Sequence, residues 1–229
     1  MRFTLYKIAF SFERNIFGRN IVANHQLIEN KLEKLLDWAY EKSINGLPGT
    51  DTAYELAENF MSKHHSTDKA INSLVRWQNV KCTTSGFLSG LGGAITLPVA
   101  IPANLASVIY VQMRMIAAIA HMRGYDLKDD QVKTFVFVCL TGQAASDILK
   151  QVGIKAGERI AKQAIKKISG EVIKSINQKV GFRLVTKFGE KGVVNLGKVV
   201  PIVGGFIGGT VDGVGTNIIG KTAKKLFVS

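Results

Sequence analysis

The feature that most constrains this chain is an uncharged run of 32 residues at positions 82–113. Pro98 and Pro102 interrupt the run, and the residue before a proline avoids the α-helical region of backbone space. The run therefore predicts two helices, about residues 86–97 and 102–122, rather than one long helix.

The length of the uncharged run raises the question of a membrane span. A helix of 32 residues is about 48 Å long, against a hydrocarbon core of about 30 Å. Six Leu, Ile and Val residues at 103–121 favour insertion by about 0.3–0.6 kcal/mol each, whereas Arg114 alone costs about 2.5–3.5 kcal/mol. Asp212 lies inside the other apolar segment, residues 199–220. The sequence favours a buried core over shallow insertion of helical hairpins, and either of these over a span.

Helical periodicity continues on both sides of the run, and no strand pattern of period two is evident. Further helices are predicted at about residues 24–45, 142–151 and 154–180, the last with a break near Gly170. Three more helices are predicted to begin after Thr50 or Asp51, after a cap at Ser66, and at about Asp129. The predicted fold is a single all-α domain with a core of apolar, glycine-rich helices. Residues 1–65 are expected to form an N-terminal helical portion that packs on residues 66–229.

The positive charge of the chain is concentrated in its C-terminal third. Residues 150–229 carry 15 basic and 4 acidic side chains, whereas the net charge of all 229 residues is +13. Most of the excess positive charge therefore lies in this third. Such a surface attracts polyanions, although a solvated lysine-rich surface gives the same count. We expect the basic face of residues 154–180 to bind anionic lipid headgroups, mainly through Lys155, Arg159, Lys162, Lys166 and Lys174. Nucleic acid is an unlikely partner, because this third has four Phe and no Trp or Tyr on which bases could stack.

Glycines recur at a spacing of four in two segments. This spacing lets another helix approach the backbone closely, as in a glycine zipper. The predicted helix-packing glycines are Gly86, Gly90, Gly204, Gly205, Gly208, Gly209 and Gly213.

Polar residues inside the apolar segments are candidates for a buried pair or a ligand site. A buried arginine needs a partner, and for Arg114 the sequence offers Asp212 first and Asp147 second. The alternative is an anion or lipid-phosphate site built on Arg114. Thr96, Asn104 and Gln112 could line a polar pocket, or could satisfy backbone groups near the prolines.

Known catalytic and metal-binding motifs are missing from the sequence. It contains no H-E-x-x-H, no G-x-S-x-G and no phosphate-binding GK[ST] loop. His64 and His65 point in different directions on a helix, so we expect no metal and no cofactor. The two cysteines, Cys82 and Cys139, sit in apolar surroundings and are typical of a reducing compartment. The expected location is the cytoplasm, with the inner face of the cell membrane as an open alternative within it.

The order of four motifs is more specific than any one of them. GFLSGLGG is followed by VFVCLTGQAAS, then by SINQKVGFRLVTKFGEKG, and finally by VPIVGGFIGGTVD. This order resembles the EcsC protein family over about residues 68–229. The resemblance implies an all-α bacterial protein, in a family named after a protein encoded beside the subunits of an ABC exporter. It supplies no reaction, and it leaves residues 1–65 as a portion specific to this member.

Three functions are compatible with these features. The first is a non-enzymatic, membrane-associated accessory protein, bound peripherally or inserted shallowly, whose partner is a transport or other membrane complex. The second is a membrane-disrupting effector or toxin that acts through glycine-zipper helices. The third is an enzyme on a lipid or small molecule, with an anion site at Arg114. The sequence favours the first and gives no oligomeric state.

Overall fold

The computed structural model describes residues 30–83, 103–154, 162–192 and 205–228, with the backbone alone at 81–83, 103–105, 185–192 and 205–214. Apart from an isolated bridge between Leu47 and Thr50, the regular structure of these residues is helical. The helices are α1 (residues 30–45), α2 (Ala53–Ser62), α3 (Thr67–Thr83), α4 (Ala103–Met122), α5 (Asp130–Leu140), α6 (Ala145–Gln151), α7 (Lys162–Lys166), α8 (Gly170–Gly192) and α9 (Gly205–Leu226), with a 3₁₀ turn at Gly142–Ala144. They form one helical domain, which confirms the predicted all-α class.

Helix α1 ends at residue 45, directly before a glycine. Gly46 has a φ of +88°, in the left-handed region that favours glycine, and follows the last residue of α1 directly. Ser66 precedes α3, and its hydroxyl accepts a hydrogen bond from the Lys69 amide at 3.3 Å, as predicted for its cap.

The start of α2 differs from the prediction by one or two residues. Its N-cap is Thr52, whereas the sequence favoured Thr50 or Asp51. The Thr52 hydroxyl accepts a hydrogen bond from the Glu55 amide, and the Glu55 carboxylate accepts one from the Thr52 amide. This reciprocal pair is a capping box. The Thr50 hydroxyl is used elsewhere, because it bonds the Leu47 carbonyl at 3.0 Å and the Tyr110 hydroxyl at 2.8 Å.

Helix α4 is the centre of the core. Every residue from 106 to 122 is buried except Val108 and His121, which are half-buried. A helix that is buried on all sides needs neighbours on all sides, and α4 packs against α2, α3, α5 and α9. This part of the uncharged run is therefore core, as the sequence favoured, while residues 84–102 lie outside the described residues. Among the described helices, none has the length and hydropathy that crossing a bilayer requires.

The helices before residue 66 contribute to the same core. Leu35 and Ala39 of α1 and Leu56 of α2 are at most 1% exposed. Tyr40 of α1 donates a hydrogen bond to the Leu127 carbonyl at 2.7 Å, which joins α1 to the loop before α5. The tertiary structure thus joins residues 30–62 to the later helices.

The amphipathic stretch after residue 154 is broken near Gly170, as predicted. Helix α7 ends at Lys166, and Gly170 is the first residue of α8. Ile165 and Ile176 are fully buried, and the buried side continues along α8 through Val180 to Leu184. The outer side of α8 carries polar and basic residues and the exposed Phe182.

Candidate functional site

The described part of the C-terminal third has a strongly basic surface. Where side chains are described, at 150–154, 162–184 and 215–228, the chain has ten basic residues and one acidic residue, Glu171. The basic residues are Lys150, Lys162, Lys166, Lys167, Lys174, Lys179, Arg183, Lys221, Lys224 and Lys225. This surface is the strongest candidate for a functional site.

The basic residues predicted to bind headgroups differ in their surroundings. Lys162 is half-buried, with its ammonium nitrogen 5.4 Å from the centre of the Tyr125 ring. Lys166 is exposed, and its Nζ lies 3.7 Å from Oδ2 of Asp129. Lys174 is exposed on α8. Lys155 and Arg159, the other two predicted contacts, lie outside the described residues.

Three basic residues that the sequence analysis did not single out are also exposed. Lys167 follows α7, and Lys221 and Lys225 lie on α9; all three are exposed and form no ion pair or hydrogen bond with a described residue. The count of basic residues in the C-terminal third includes all three. The helical spacing along residues 154–180 missed them, because it selected a single face of a single stretch.

An exposed aromatic residue lies within this basic surface. Phe182 of α8 is 55% exposed, and Arg183 beside it is exposed as well. Large apolar side chains are costly to leave in water, and an aromatic ring next to a base suits the boundary between water and lipid. The sequence analysis did not select Phe182, because its exposure depends on which side of α8 packs against the other helices.

A first cleft, of about 630 Å³, lies between α1, α5 and α8. Carboxylates from Glu33, Asp37 and Asp130 line it, together with Lys133 and Lys174. Lys133 and Asp37 are paired at 2.7 Å across the α1–α5 contact. We call this the acidic cleft.

A second cleft, of about 450 Å³, lies between the 3₁₀ turn, α8 and α9. Residues 141–144 form one wall, Gly215, Ile218 and Ile219 form another, and Arg183 supplies the charge. No carboxylate occurs among the described residues that line it. The turn approaches α9 closely, since Gly142 has a φ of +64° and a Cβ on it would lie 3.3 Å from Cγ2 of Ile218. We call this the arginine cleft.

Arg114 is buried as expected, but its described partner is a backbone group. The side chain is 3% exposed, and Nη1 donates to the Asp51 carbonyl at 2.8 Å. Its guanidinium lies 5.5 Å from the centre of the Tyr110 ring, and Nε has no hydrogen-bond partner among the described residues. Asp147, the second predicted partner, is exposed on α6 and does not pair with Arg114. Of Asp212, the backbone alone is described. Arg114 lines neither of the two clefts.

The other predicted polar residues are separated from Arg114. Gln112 is 4% exposed and donates to the Thr216 hydroxyl at 3.3 Å, which joins α4 to α9. It faces away from Arg114, because residues two positions apart lie on different sides of a helix. Asn104 lies in the first turn of α4 with its side chain not described, and Thr96 lies outside the described residues.

All seven predicted helix-packing glycines lie where the surroundings of the backbone are not described. Gly205, Gly208, Gly209 and Gly213 lie in α9, in its backbone-only part, and Gly86, Gly90 and Gly204 lie outside the described residues. The close approach that the structure does show is at Gly220 of α9, opposite Val75 of α3. The spacing rule did not select Gly220, because the nearest glycine before it is Gly215, five positions away.

Asp68 and Cys139 are titratable residues with structural roles. Hydrogen bonds from Arg123 and Lys224 hold the pKa of the Asp68 carboxyl below its usual value, and together they join α3, α9 and the end of α4. Burial raises the pKa of the free Cys139 thiol far above its usual value, so it stays protonated and inert. The described residues contain no group of three or more His, Cys, Asp or Glu that could hold a metal.

Comparison with known proteins gives one result. The model of the EcsC protein family matches residues 19–228. The match begins well before residue 68, so it includes much of the portion that the resemblance in the sequence left outside the family. Neither the curated proteins nor the solved structures give a match. Because the family model covers nearly the whole chain, the protein belongs to the EcsC protein family.

Proposed function

We propose that this protein is a peripheral accessory protein that binds anionic membrane surfaces through the basic surface of its C-terminal third. The observation that carries the proposal is the excess of ten basic over one acidic side chain in the described part of that third. Residues 1–81, by contrast, are nearly balanced, with 11 basic and 9 acidic side chains. Charge confined to one part of a protein orients that part toward a charged surface.

The exposed lysines provide enough attraction for binding. Lys167, Lys174, Lys221 and Lys225 are exposed, with no carboxylate of a described residue within ion-pair distance. Each base near an anionic leaflet contributes about 1 kcal/mol. Four bases that reach the same leaflet would together give about 4 kcal/mol, which corresponds to roughly a thousandfold in affinity. The attraction falls with salt, since the Debye length is about 8 Å at physiological ionic strength.

The exposed ring of Phe182 supports shallow contact with the lipid. An aromatic side chain on a basic helix face can enter the headgroup region while the bases stay at the phosphates. Phe182 lies on α8, which also carries Lys174. The proposal therefore predicts binding that is mainly electrostatic, with a small apolar contribution that salt does not remove.

The test is flotation of the purified protein with vesicles. We expect it to float with vesicles that contain phosphatidylglycerol at low salt, to be largely released at 0.5 M salt, and to stay unbound with phosphatidylcholine alone. Absence of binding to the anionic vesicles would overturn the proposal.

The same vesicles, loaded with a fluorescent dye, separate this function from the membrane-disrupting alternative. A peripheral protein leaves the dye enclosed at concentrations that saturate binding. Release of the dye at those concentrations would replace the proposal by the disrupting function.

A further inference from the structure

We propose that the acidic cleft binds a small aliphatic polyamine, whose ammonium groups pair with the carboxylates of Glu33 and Asp130. The inference goes beyond the proposed function, because it concerns a separate cleft and a ligand of the opposite charge. The cleft lies between α1, α5 and α8, and its volume of about 630 Å³ falls within the range of about 300–1,000 Å³ found for ligand sites.

One carboxylate of the cleft, that of Asp37, is already paired within the protein. Its oxygen lies 2.7 Å from Nζ of Lys133, and the same nitrogen lies 5.7 Å from the centre of the Phe137 ring. The carboxylate and the ring together hold the Lys133 ammonium at the wall of the cleft. This ion pair joins α1 to α5 and leaves the other two carboxylates of the cleft to a ligand.

Those two carboxylates, on Glu33 and Asp130, stand close to the ion pair. Glu33 is four residues before Asp37 on α1, and Asp130 is three residues before Lys133 on α5. At about 1.5 Å per residue, each lies about 4.5–6 Å along its helix from the pair. Both side chains are exposed, and neither forms an ion pair or a hydrogen bond with a described residue. Two separate carboxylates near one point suit a ligand with more than one ammonium group.

A buried hydroxyl on the same wall supplies an acceptor that no described residue uses. Thr134 is 2% exposed and lines the cleft from α5, on the face that it shares with Asp130, Lys133 and Phe137. Its hydroxyl forms no hydrogen bond with any of the described residues. Buried polar groups are rarely left without a partner, because that is costly. An ammonium group at the floor of the cleft would donate to this hydroxyl.

The wall formed by α8 carries one opposing charge, that of Lys174. The other polar side chains on this wall are the neutral amides of Asn177 and Gln178, and Ile173 adds half-buried apolar surface. Amide oxygens accept hydrogen bonds from ammonium groups, and the methylenes of a polyamine can lie on Ile173. Lys174 is exposed, so its long side chain can keep its charge in water, away from the ligand.

The size of the cleft and the spread of its acceptors favour an organic cation. Carboxylates, a hydroxyl and amides lie on three helices around a volume much larger than a single ion needs. A polyamine carries several ammonium groups, each with three donors, on a chain that can reach such separate acceptors. The net charge of +13 repels cations, but salt limits that repulsion to about 8 Å at physiological ionic strength. The groups that line the cleft therefore decide binding.

The experiment titrates the full-length protein with spermidine by calorimetry at physiological salt. Butylamine is titrated in parallel, and the spermidine titration is repeated with a tenfold excess of magnesium over spermidine. We expect saturable binding of one spermidine, at least tenfold weaker binding of butylamine, and less than a twofold change with magnesium. Absence of saturable binding would overturn the proposal, and displacement of spermidine by magnesium would replace the polyamine by a metal ion.

Two double variants with the same change in charge test the place of binding. Glu33→Gln with Asp130→Asn should weaken spermidine binding at least tenfold. Glu58→Gln with Asp147→Asn removes two exposed carboxylates from α2 and α6, outside the cleft, and should change the affinity less than twofold. Thermal unfolding checks that both proteins are folded. Equal losses in the two would reduce the effect to overall charge and would overturn the site.

Two single variants test the walls of the cleft. Thr134→Val keeps the shape and removes the hydroxyl, so it should weaken binding at least threefold. Lys174→Gln removes the opposing charge and should tighten the binding of spermidine at least twofold, while it weakens binding to anionic vesicles. The inference and the proposed function can therefore fail separately. Weaker spermidine binding by Lys174→Gln, or unchanged affinity of Thr134→Val, would contradict the proposed arrangement of the ligand.

Discussion

The side chain of Val75 on α3 lies directly against the backbone of α9 at Gly220. A Cβ on Gly220 would stand 2.7 Å from both methyl carbons of Val75 and 3.3 Å from its Cβ. Real side chains do not approach so closely, so the two helices pack at a distance that requires glycine at this position. Lys224, one turn further on, bonds Asn72 and Asp68 of α3, which fixes the same pair of helices.

Gly220→Ala should therefore destabilise the protein. Overpacking a close helix contact costs about 1–3 kcal/mol, and Val75 is β-branched and turns aside poorly. The gain in helix propensity from Gly to Ala offsets at most about 1 kcal/mol. Chemical denaturation should show a clear net loss in the free energy of unfolding.

Gly215→Ala is the matched control, five positions earlier in the same helix. Its Cβ would meet no atom within 4 Å, so we expect a gain of about 0.5–1 kcal/mol from helix propensity. If both variants changed stability by the same amount, the packing of α3 on α9 would not be as the structure has it.

Substitutions at Arg114 should separate its packing from its charge. Arg114→Ala leaves a cavity and deprives the Asp51 carbonyl of its donor, which together cost about 2–4 kcal/mol. Arg114→Met keeps most of the volume and removes a charge that has no described carboxylate partner, so its loss should be less than half as large. Equal losses in the two variants, measured by denaturation, would point to an ion pair with an acidic residue instead.

Asp68 should make stability fall in acid. Its pKa is lowered in the folded protein by bonds from Arg123 and Lys224, so its contribution is present above the unfolded pKa of about 3.9 and is lost as the pH falls through the folded value. Because the Asp68 side chain is 59% exposed, the effect is at most about 1 kcal/mol. Asp68→Asn should be less stable than wild type at pH 6, and the difference should shrink below about pH 4. A difference independent of pH would exclude the ionised carboxylate as its source.

Tyr40 should have the opposite dependence, in alkali. Burial raises the pKa of its hydroxyl well above the usual value, and its hydrogen bond to the Leu127 carbonyl needs the proton. Its contribution is therefore complete below about pH 10 and is lost as the pH rises further. Tyr40→Phe should cost about 1–2 kcal/mol at neutral pH. Its stability should also fall less steeply above pH 10 than that of wild type, and a curve of equal slope would contradict the assignment.

The sequence was most informative where a residue acts on its own neighbours in the chain. Gly46 ends α1 and Gly170 starts α8, because helix starts and stops are local. The uncharged run favoured burial of the first half of α4, because a stretch without charged residues is itself a local pattern. The start of α2 was misplaced although the sequence contained the signal, because Glu55 stands three residues after Thr52 and forms a capping box with it, whereas Ala53 stands three residues after Thr50.

The candidate site was less predictable, because its features depend on contacts between distant residues. Arg114 meets a backbone carbonyl 63 positions away, and a carbonyl has no residue type by which a sequence could reveal it. The arginine cleft brings together residues near 142, 183 and 218. Their proximity follows from the packing of α8 on α5 and α6 and of α9 on the 3₁₀ turn, which no local pattern encodes. The basic excess of the C-terminal third could be counted directly, whereas the exposure of each lysine could not.

The most direct test of the account compares two sets of charge variants in binding to phosphatidylglycerol vesicles at low salt. One set replaces Lys167, Lys174 and Lys221 by Gln; the other replaces Lys42, Lys63 and Arg76, so that both lower the net charge of +13 by three. At about 1 kcal/mol per base, the first should bind about a hundredfold more weakly than wild type. The second should bind within about threefold of wild type, because its bases lie outside the C-terminal third. Equal losses in the two sets, or no loss in the first, would contradict the account.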